Sequence, residues 1–135
     1  MPQNITTSAG ELVKAAKAAI KEYTVEDVQG MLGRDDVVLV DIRDPRELAR
    51  EGRIAGAFHC PRGMLEFWIC PDSPYHKPVF AEEKEFVFFC AGAMRSALAA
   101  KVAQDMGLRP VAHMLGGFGG WKKAGAPVEM EQSKG

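Results

Sequence analysis

Hydrophobic and polar positions change period several times along this chain, and each change marks the border of an element. Between Ser8 and Glu22, the apolar residues Leu12, Val13, Ala16, Ala19 and Ile20 recur at helical spacing. Lys14, Lys17, Lys21 and Glu22 fall largely on the opposite face. Ser8 and Glu11 can satisfy each other's orphan backbone donors, so a first helix is predicted here, packed on its own domain rather than on a membrane surface or a partner. Thr24 to Asp27 repeats the capping logic ahead of a short helix carrying Val28, Met31 and Leu32, which Gly33 ends. The period then breaks. Val37 to Val40 is an uninterrupted aliphatic run, as in a central strand buried on both faces, and the charged group Asp41-Ile42-Arg43-Asp44 follows it. Asp44 caps the next helix, with Pro45 at its first position and an end near Gly52.

Ala57-Phe58 reads as a short strand, and residues 61–78, with four of the eight prolines, as a long ordered loop. Phe86 to Phe89 is a second strongly apolar strand with Cys90 at its carboxyl end. Met94 to Met106 is rich in helix formers, places Leu98, Val102 and Met106 four apart, and stops at Gly107. Val111 to Leu115 predicts a further strand, followed by the glycine-rich run Gly116 to Gly120, Trp121 and a short terminal helix. Strands alternating with helices predict an α/β domain around a mainly parallel sheet with helices on both faces. Residues 1–22 are expected to form a helical extension packed on the domain, 23–130 the domain itself, and 131–135 a frayed tail.

Charge narrows the class. Seventeen Lys and Arg against 18 Asp and Glu leave a net charge of −1, which gives no long-range pull toward nucleic acid or anionic lipid. With 47% hydrophobic and 26% charged residues, the 135-residue chain matches an ordinary globular domain. No stretch approaches the ~20 consecutive apolar residues of a membrane span, and Met1 to Gly10 has neither a basic nor an apolar leader pattern. The expected compartment is therefore the cytoplasm. Cys60, Cys70 and Cys90 are an odd number at wide spacing, unlike a disulfide framework or a paired zinc motif. His59-Cys60, Cys70 and His76 likewise fit no usual ligand spacing, so neither a metal nor another cofactor is expected.

Ligands of such sheets sit outside the carboxyl ends of the strands, which is where Cys90 stands. Free cysteine is among the most buried residue types, and Cys90 could simply close its strand. The surrounding pattern favours chemistry instead. Cys90-Ala91-Gly92-Ala93-Met94-Arg95-Ser96 has only small side chains before Met94, so its backbone N–H groups can turn inward around the sulfur like an anion nest. Arg95 and the following helix dipole would favour a thiolate.

These features resemble the rhodanese-like sulfurtransferases over nearly the whole chain, from about Thr24 to Val128. The blocks that match, in order, are Val38 to Leu48, Gly52 to Ala57, the Cys90 to Ser96 loop, and Leu115 to Gly125. The resemblance implies a five-stranded, mainly parallel sheet and a cysteine that takes a sulfane sulfur from a donor and passes it to a thiophilic acceptor. Cys90 would be the nucleophile and Arg95 the residue fixing the loop. The backbone of Ala91, Gly92, Ala93, Met94 and Ser96 would form the cradle, with Asp41 and Arg43 in a supporting network beneath it. The implied partners are a small donor such as thiosulfate, polysulfide or a protein persulfide, a thiol or cyanide acceptor, and a sulfur-carrier protein, with the chain a monomer or homodimer.

Trp68, Tyr75 and His76 are candidates for the rim of the site, against the alternative that the aromatics fill a satellite cluster under the loop. Cys70 could receive sulfur from Cys90 or form a disulfide with it, while Cys60 reads as buried structure. Four residues separate Cys90 from Arg95, the family's sulfur-transfer length, whereas related phosphatases with this fold use five. Many relatives that handle thiosulfate carry Arg or Lys directly after the cysteine and glycine two positions further on. Ala91 and Ala93 stand there instead, and a left-handed backbone at Ala93 would be costly. Arg53 occupies a frequent histidine position. Two alternatives stay open: a non-catalytic module for protein binding or sulfur sensing, and a phosphatase or arsenate-reducing relative.

Overall fold

The apolar runs Val37 to Val40 and Phe86 to Phe89 form the middle of a five-stranded sheet in the computed structural model, which describes residues 2–130. The expected tail, residues 131–135, lies outside the described residues. Strands β1 (Lys21–Tyr23), β2 (Val37–Asp41), β3 (Phe58–His59), β4 (Glu85–Phe89) and β5 (Val111–Met114) are arranged in the order β1-β5-β4-β2-β3. Every neighbouring pair is parallel. Central β2 and β4 pair from Val37 with Glu85 to Asp41 with Phe89. Side chains alternate between faces along β4, with Phe86 and Phe88 entering one apolar cluster and Val87 and Phe89 the other.

Helices α1 (Ala9–Ala19), α4 (Leu65–Ile69) and α5 (Met94–Asp105) cover the first face. Helices α2 (Val25–Gln29) and α6 (Gly117–Lys123) cover the second, where Phe118 and Trp121 pack with Val28, Met31 and Met114. Helix α3 (Pro45–Glu51) connects β2 to β3. The capping boxes predicted at Ser8 and Thr24 form with Glu11 and Asp27, and Asp44 forms a third with Glu47. The buried face of α5 is built of Ala97, Ala99, Ala100 and Ala103, small enough for a close approach to the sheet and to α1. Val13 and Ala16 of α1 are buried, and Gln104 Nε2 donates to the Ala19 carbonyl, an orphan acceptor at the end of that helix, at 2.9 Å. No helix of the described residues is long and apolar enough to cross a membrane.

Helix α2 stops at Gln29 with Gly30 as its C-cap, leaving Met31, Leu32 and Gly33 in the turns beyond it, and β3 falls one residue later than the expected Ala57-Phe58. Two further elements differ from the sequence reading. The first helix ends at Ala19 rather than at Glu22, because Ile20 turns to an extended conformation and Lys21–Tyr23 pair with Ala112–Met114 at the edge of the sheet. Strand β1 thus spans the expected boundary between residues 22 and 23. The segment expected as a loop, 61–78, contains α4 and a single helical turn, Arg62–Met64, and a second turn, Pro78–Ala81, begins at its last residue. Within α4, Leu65 and Ile69 stand one turn apart on the buried side, and Arg62 pairs with Glu66 across an i, i+4 step at 2.8 Å. Proline at positions 61 and 71 kept this short helix from showing in the pattern.

Candidate functional site

All the parallel strands deliver their carboxyl ends to one rim, and Cys90 directly follows β4 there, 1% exposed. Its loop is held by the start of α6. The Phe118 N–H donates to the Cys90 carbonyl at 2.7 Å and the Gly119 N–H to the Ala91 carbonyl at 2.9 Å. These are N–H groups that a helix start leaves without intrahelical partners. Gly117 makes the approach possible: its φ is +57°, and a side chain there would collide with the carbonyl oxygens of Gly92, Cys90 and Ala91. In a trans peptide the N–H points opposite to the C=O, so the N–H groups of Ala91 and Gly92 face away from α6. Among the described residues, none of the N–H groups of Ala91 to Arg95 donates to a backbone or side-chain acceptor. Ala93 takes φ −142°, and no described residue other than glycine has a positive φ, so the strain expected at that alanine does not arise.

Arg95, second residue of α5, makes a two-pronged pair with Glu47, Nη1 to Oε2 at 2.8 Å and Nη2 to Oε1 at 3.0 Å. Glu47 Oε2 also accepts the Asp44 N–H at 2.9 Å, so one carboxylate caps α3 and anchors α5. The Arg95 guanidinium, more than its helix cap, holds the Glu47 carboxyl down to about 2 against the opposing effect of burial. Glu47, and to a smaller degree the Cys90 side chain, in turn raise the pKa of Arg95. In the sequence Glu47 stands only as a residue in the first turn of the helix that Asp44 caps, with no sign of this partner. The available signal was local, a capping box, whereas the contact spans 48 residues.

A second carboxylate–guanidinium pair lies at the end of β2. Arg43 Nε and Nη2 reach Asp41 at 3.0 and 2.7 Å, and Nη2 also donates to the Gly52 carbonyl at 2.9 Å. The Arg43 guanidinium lies 4.1 Å from the centre of the Phe118 ring, so it joins β2, the end of α3 and α6. Both partners are 1% exposed. His59 Nε2 donates to the Arg43 carbonyl at 2.7 Å. Ser96 is fully buried, with its hydroxyl 2.9 Å from His113 Nδ1.

Ala91 and Gly92 are exposed at the mouth, as is Met94 at 58%. Trp68 is half-buried, packed edge-on against Phe58 with Lys77 Nζ 4.9 Å from its ring centre, which makes it part of the aromatic cluster continued by Phe80 and Phe86. Tyr75 is exposed, and His76 has an enclosed Nδ1 without a hydrogen-bond partner. Cys60 is buried, which pushes its thiol up to about 12. Cys70, half-buried, follows the end of α4.

The rhodanese-like domain model matches residues 24–124. A solved structure from Rhodopseudomonas palustris CGA009, described as a protein of unknown function and possible tyrosine phosphatase, is 58% identical with a TM-score of 0.93, covering 96% of this chain and 99% of that one. Thiosulfate sulfurtransferase GlpE of Actinobacillus succinogenes is 30% identical over 112 residues, covering 82% of this chain and 92% of that protein. The solution structure of the polysulfide-sulfur transferase homodimer of Wolinella succinogenes is 31% identical with a TM-score of 0.67, covering 90% of this chain and 87% of that one.

Proposed function

Because the chain belongs to the rhodanese-like domain family, we propose that it is a sulfurtransferase that carries a sulfane sulfur as a persulfide on Cys90. The observation that carries this reading is the run of unpartnered N–H groups from Ala91 to Arg95 beside the cysteine, kept open because α6 holds the loop carbonyls on its other side. In the first half-reaction the Cys90 thiolate attacks the outer sulfur of the donor, forming a new S–S bond while the donor's own bond to that sulfur breaks. From thiosulfate the leaving group is sulfite; from a polysulfide or a protein persulfide it is a shortened polysulfide or a thiolate. The terminal persulfide sulfur, an anion, fits the N–H cradle and the dipole of the twelve-residue α5. In the second half-reaction a thiol or cyanide attacks that sulfur and Cys90 leaves as thiolate.

Arg95 fixes the loop through Glu47 and retains N–H donors beyond the two used in that pair, which suits it to meet a departing anion. Asp41 and Arg43 support the floor. Small donors and acceptors suit a loop of small side chains, with a carrier protein able to deliver sulfur at the exposed Ala91, Gly92 and Met94.

A second reading, phosphate-ester hydrolysis, comes from the description of the Rhodopseudomonas protein. One observation weighs against it: only four residues intervene between Cys90 and Arg95, one fewer than in the related phosphatases. Intact-protein mass spectrometry separates the readings. After exposure to thiosulfate or polysulfide, wild type should gain one sulfur and Cys90→Ser none, and cyanide should remove that sulfur as thiocyanate. Hydrolysis of an aryl phosphate without sulfur loading would replace this reading with the second. A Cys90 that holds sulfur and never releases it would mark a sensing module.

A further inference from the structure

Behind the Cys90 loop, a polar chain crosses an otherwise apolar region. The Ser96 hydroxyl lies 2.9 Å from His113 Nδ1, and His113 Nε2 lies 2.7 Å from Glu22 Oε2. Ser96 and His113 are fully buried, and Glu22 is the only member that reaches solvent. A carboxylate only accepts, so Nε2 carries the proton that is donated to Glu22, and Nδ1 pairs with the Ser96 hydroxyl, which can both donate and accept. The three residues come from three elements: the first turn of α5, the middle of β5, and edge strand β1. Ser96 follows Arg95 directly, within the turn whose N–H groups face the candidate site.

A buried Ser–His pair costs stability unless every member is satisfied, and an alanine–leucine pair of similar volume would avoid that cost. Here each hydrogen bond is made, and what the arrangement adds is direction. It fixes the rotation and depth of the first turn of α5 against the sheet. It also reaches outside the matched family region, since Glu22 precedes residue 24, where the match begins. The Leu115 N–H donating to the Tyr23 carbonyl at 2.8 Å and Gln104 capping α1 hold this extension in place.

We propose that Ser96, His113 and Glu22 form a positioning network through which the N-terminal extension sets the orientation of the Cys90 loop. None of the three touches the reacting sulfur. The extension is on this view a working part of the site, and the proposal rests on Cys90 being the reactive residue.

The test follows alkylation of Cys90 by iodoacetamide across pH, read by peptide mass spectrometry on the full chain, in wild type, Ser96→Ala, Glu22→Ala and Glu22→Gln. Circular dichroism and thermal melting check the fold. Ser96→Ala and Glu22→Ala should slow alkylation at neutral pH by about tenfold, the size set by loss of one supporting hydrogen bond, and should shift its pH profile upward. Glu22→Gln retains an oxygen acceptor for His113 and should restore the wild-type profile. Should Glu22→Ala fail to fold, Ser96→Ala decides, since it removes one buried atom. Wild-type alkylation rates and profiles in folded Ser96→Ala would overturn the proposal, whatever the change in melting temperature. This readout needs no sulfur donor, so failure of wild type to load sulfur would remove the proposed function and leave the network standing.

Discussion

The two carboxylate–guanidinium pairs near the carboxyl rim have nearly the same geometry and opposite surroundings. Asp41–Arg43 is closed off at 1% exposure on both sides, with its extra donors on the Gly52 carbonyl and its face on Phe118. Glu47–Arg95 lies at the mouth, with side-chain exposures of 19% and 43%. Burial decides what each can do. Charges sealed from water must stay paired, so the first pair can only be scaffold. A pair in contact with water is weak enough to be partly redirected toward an incoming anion.

Breaking the buried pair should give the largest effect. Arg43→Ala leaves the Asp41 carboxylate uncompensated and should cost about 3–5 kcal/mol in urea denaturation. The double replacement Asp41→Leu with Arg43→Leu should cost less than the single change, because it leaves no orphaned charge. A double variant as unstable as Arg43→Ala would show that shape rather than charge sets the cost.

Arg95→Ala should invert this pattern. Stability should change by no more than about 1 kcal/mol, while sulfur transfer to cyanide falls about a hundredfold. Arg95→Lys should recover little of the rate, since an ammonium cannot grip Glu47 with two parallel donors. Equal losses of rate and stability in Arg95→Ala would make the two pairs alike and remove the distinction.

The smallest effect concerns acid. Glu47 is held at about 2 by Arg95, below the usual 4.5. A depressed carboxylate contributes stability that is full above about 4.5 and disappears as pH falls toward 2. Wild type should therefore lose about 1 kcal/mol more than Arg95→Ala between pH 5 and pH 2.5, a figure reduced for the half-exposed guanidinium. Parallel stability curves for the two proteins would contradict the assignment.

What could be read from the sequence follows the distance over which each feature is encoded. Phe86 to Phe89 and Val37 to Val40 declare buried strands in a few consecutive letters, and the Cys90 loop with its helix is likewise contiguous. Strand β1 is legible only through its partner, since Lys21-Glu22-Tyr23 has no strand period and exists by pairing with β5. The partners of Arg95 and of His113 lie 48 and 91 residues away and are joined by folding alone. His113 carries a single local sign of its role. It sits in Val111 to Met114 as a polar residue in an apolar strand, and that oddity was the one clue available.

The grip of α6 on the Cys90 loop bears on how such a protein could acquire another chemistry. Carbonyls at positions 90 and 91 meet amides at 118 and 119 in matched order, and Gly117 fills the gap without room for a side chain. Inserting a residue directly after Cys90 would shift that register and present α6 with a peptide group out of place. The start of the loop and the glycine run some twenty-five residues downstream are therefore structurally coupled. A redesign toward a roomier anion pocket would have to rewrite both together.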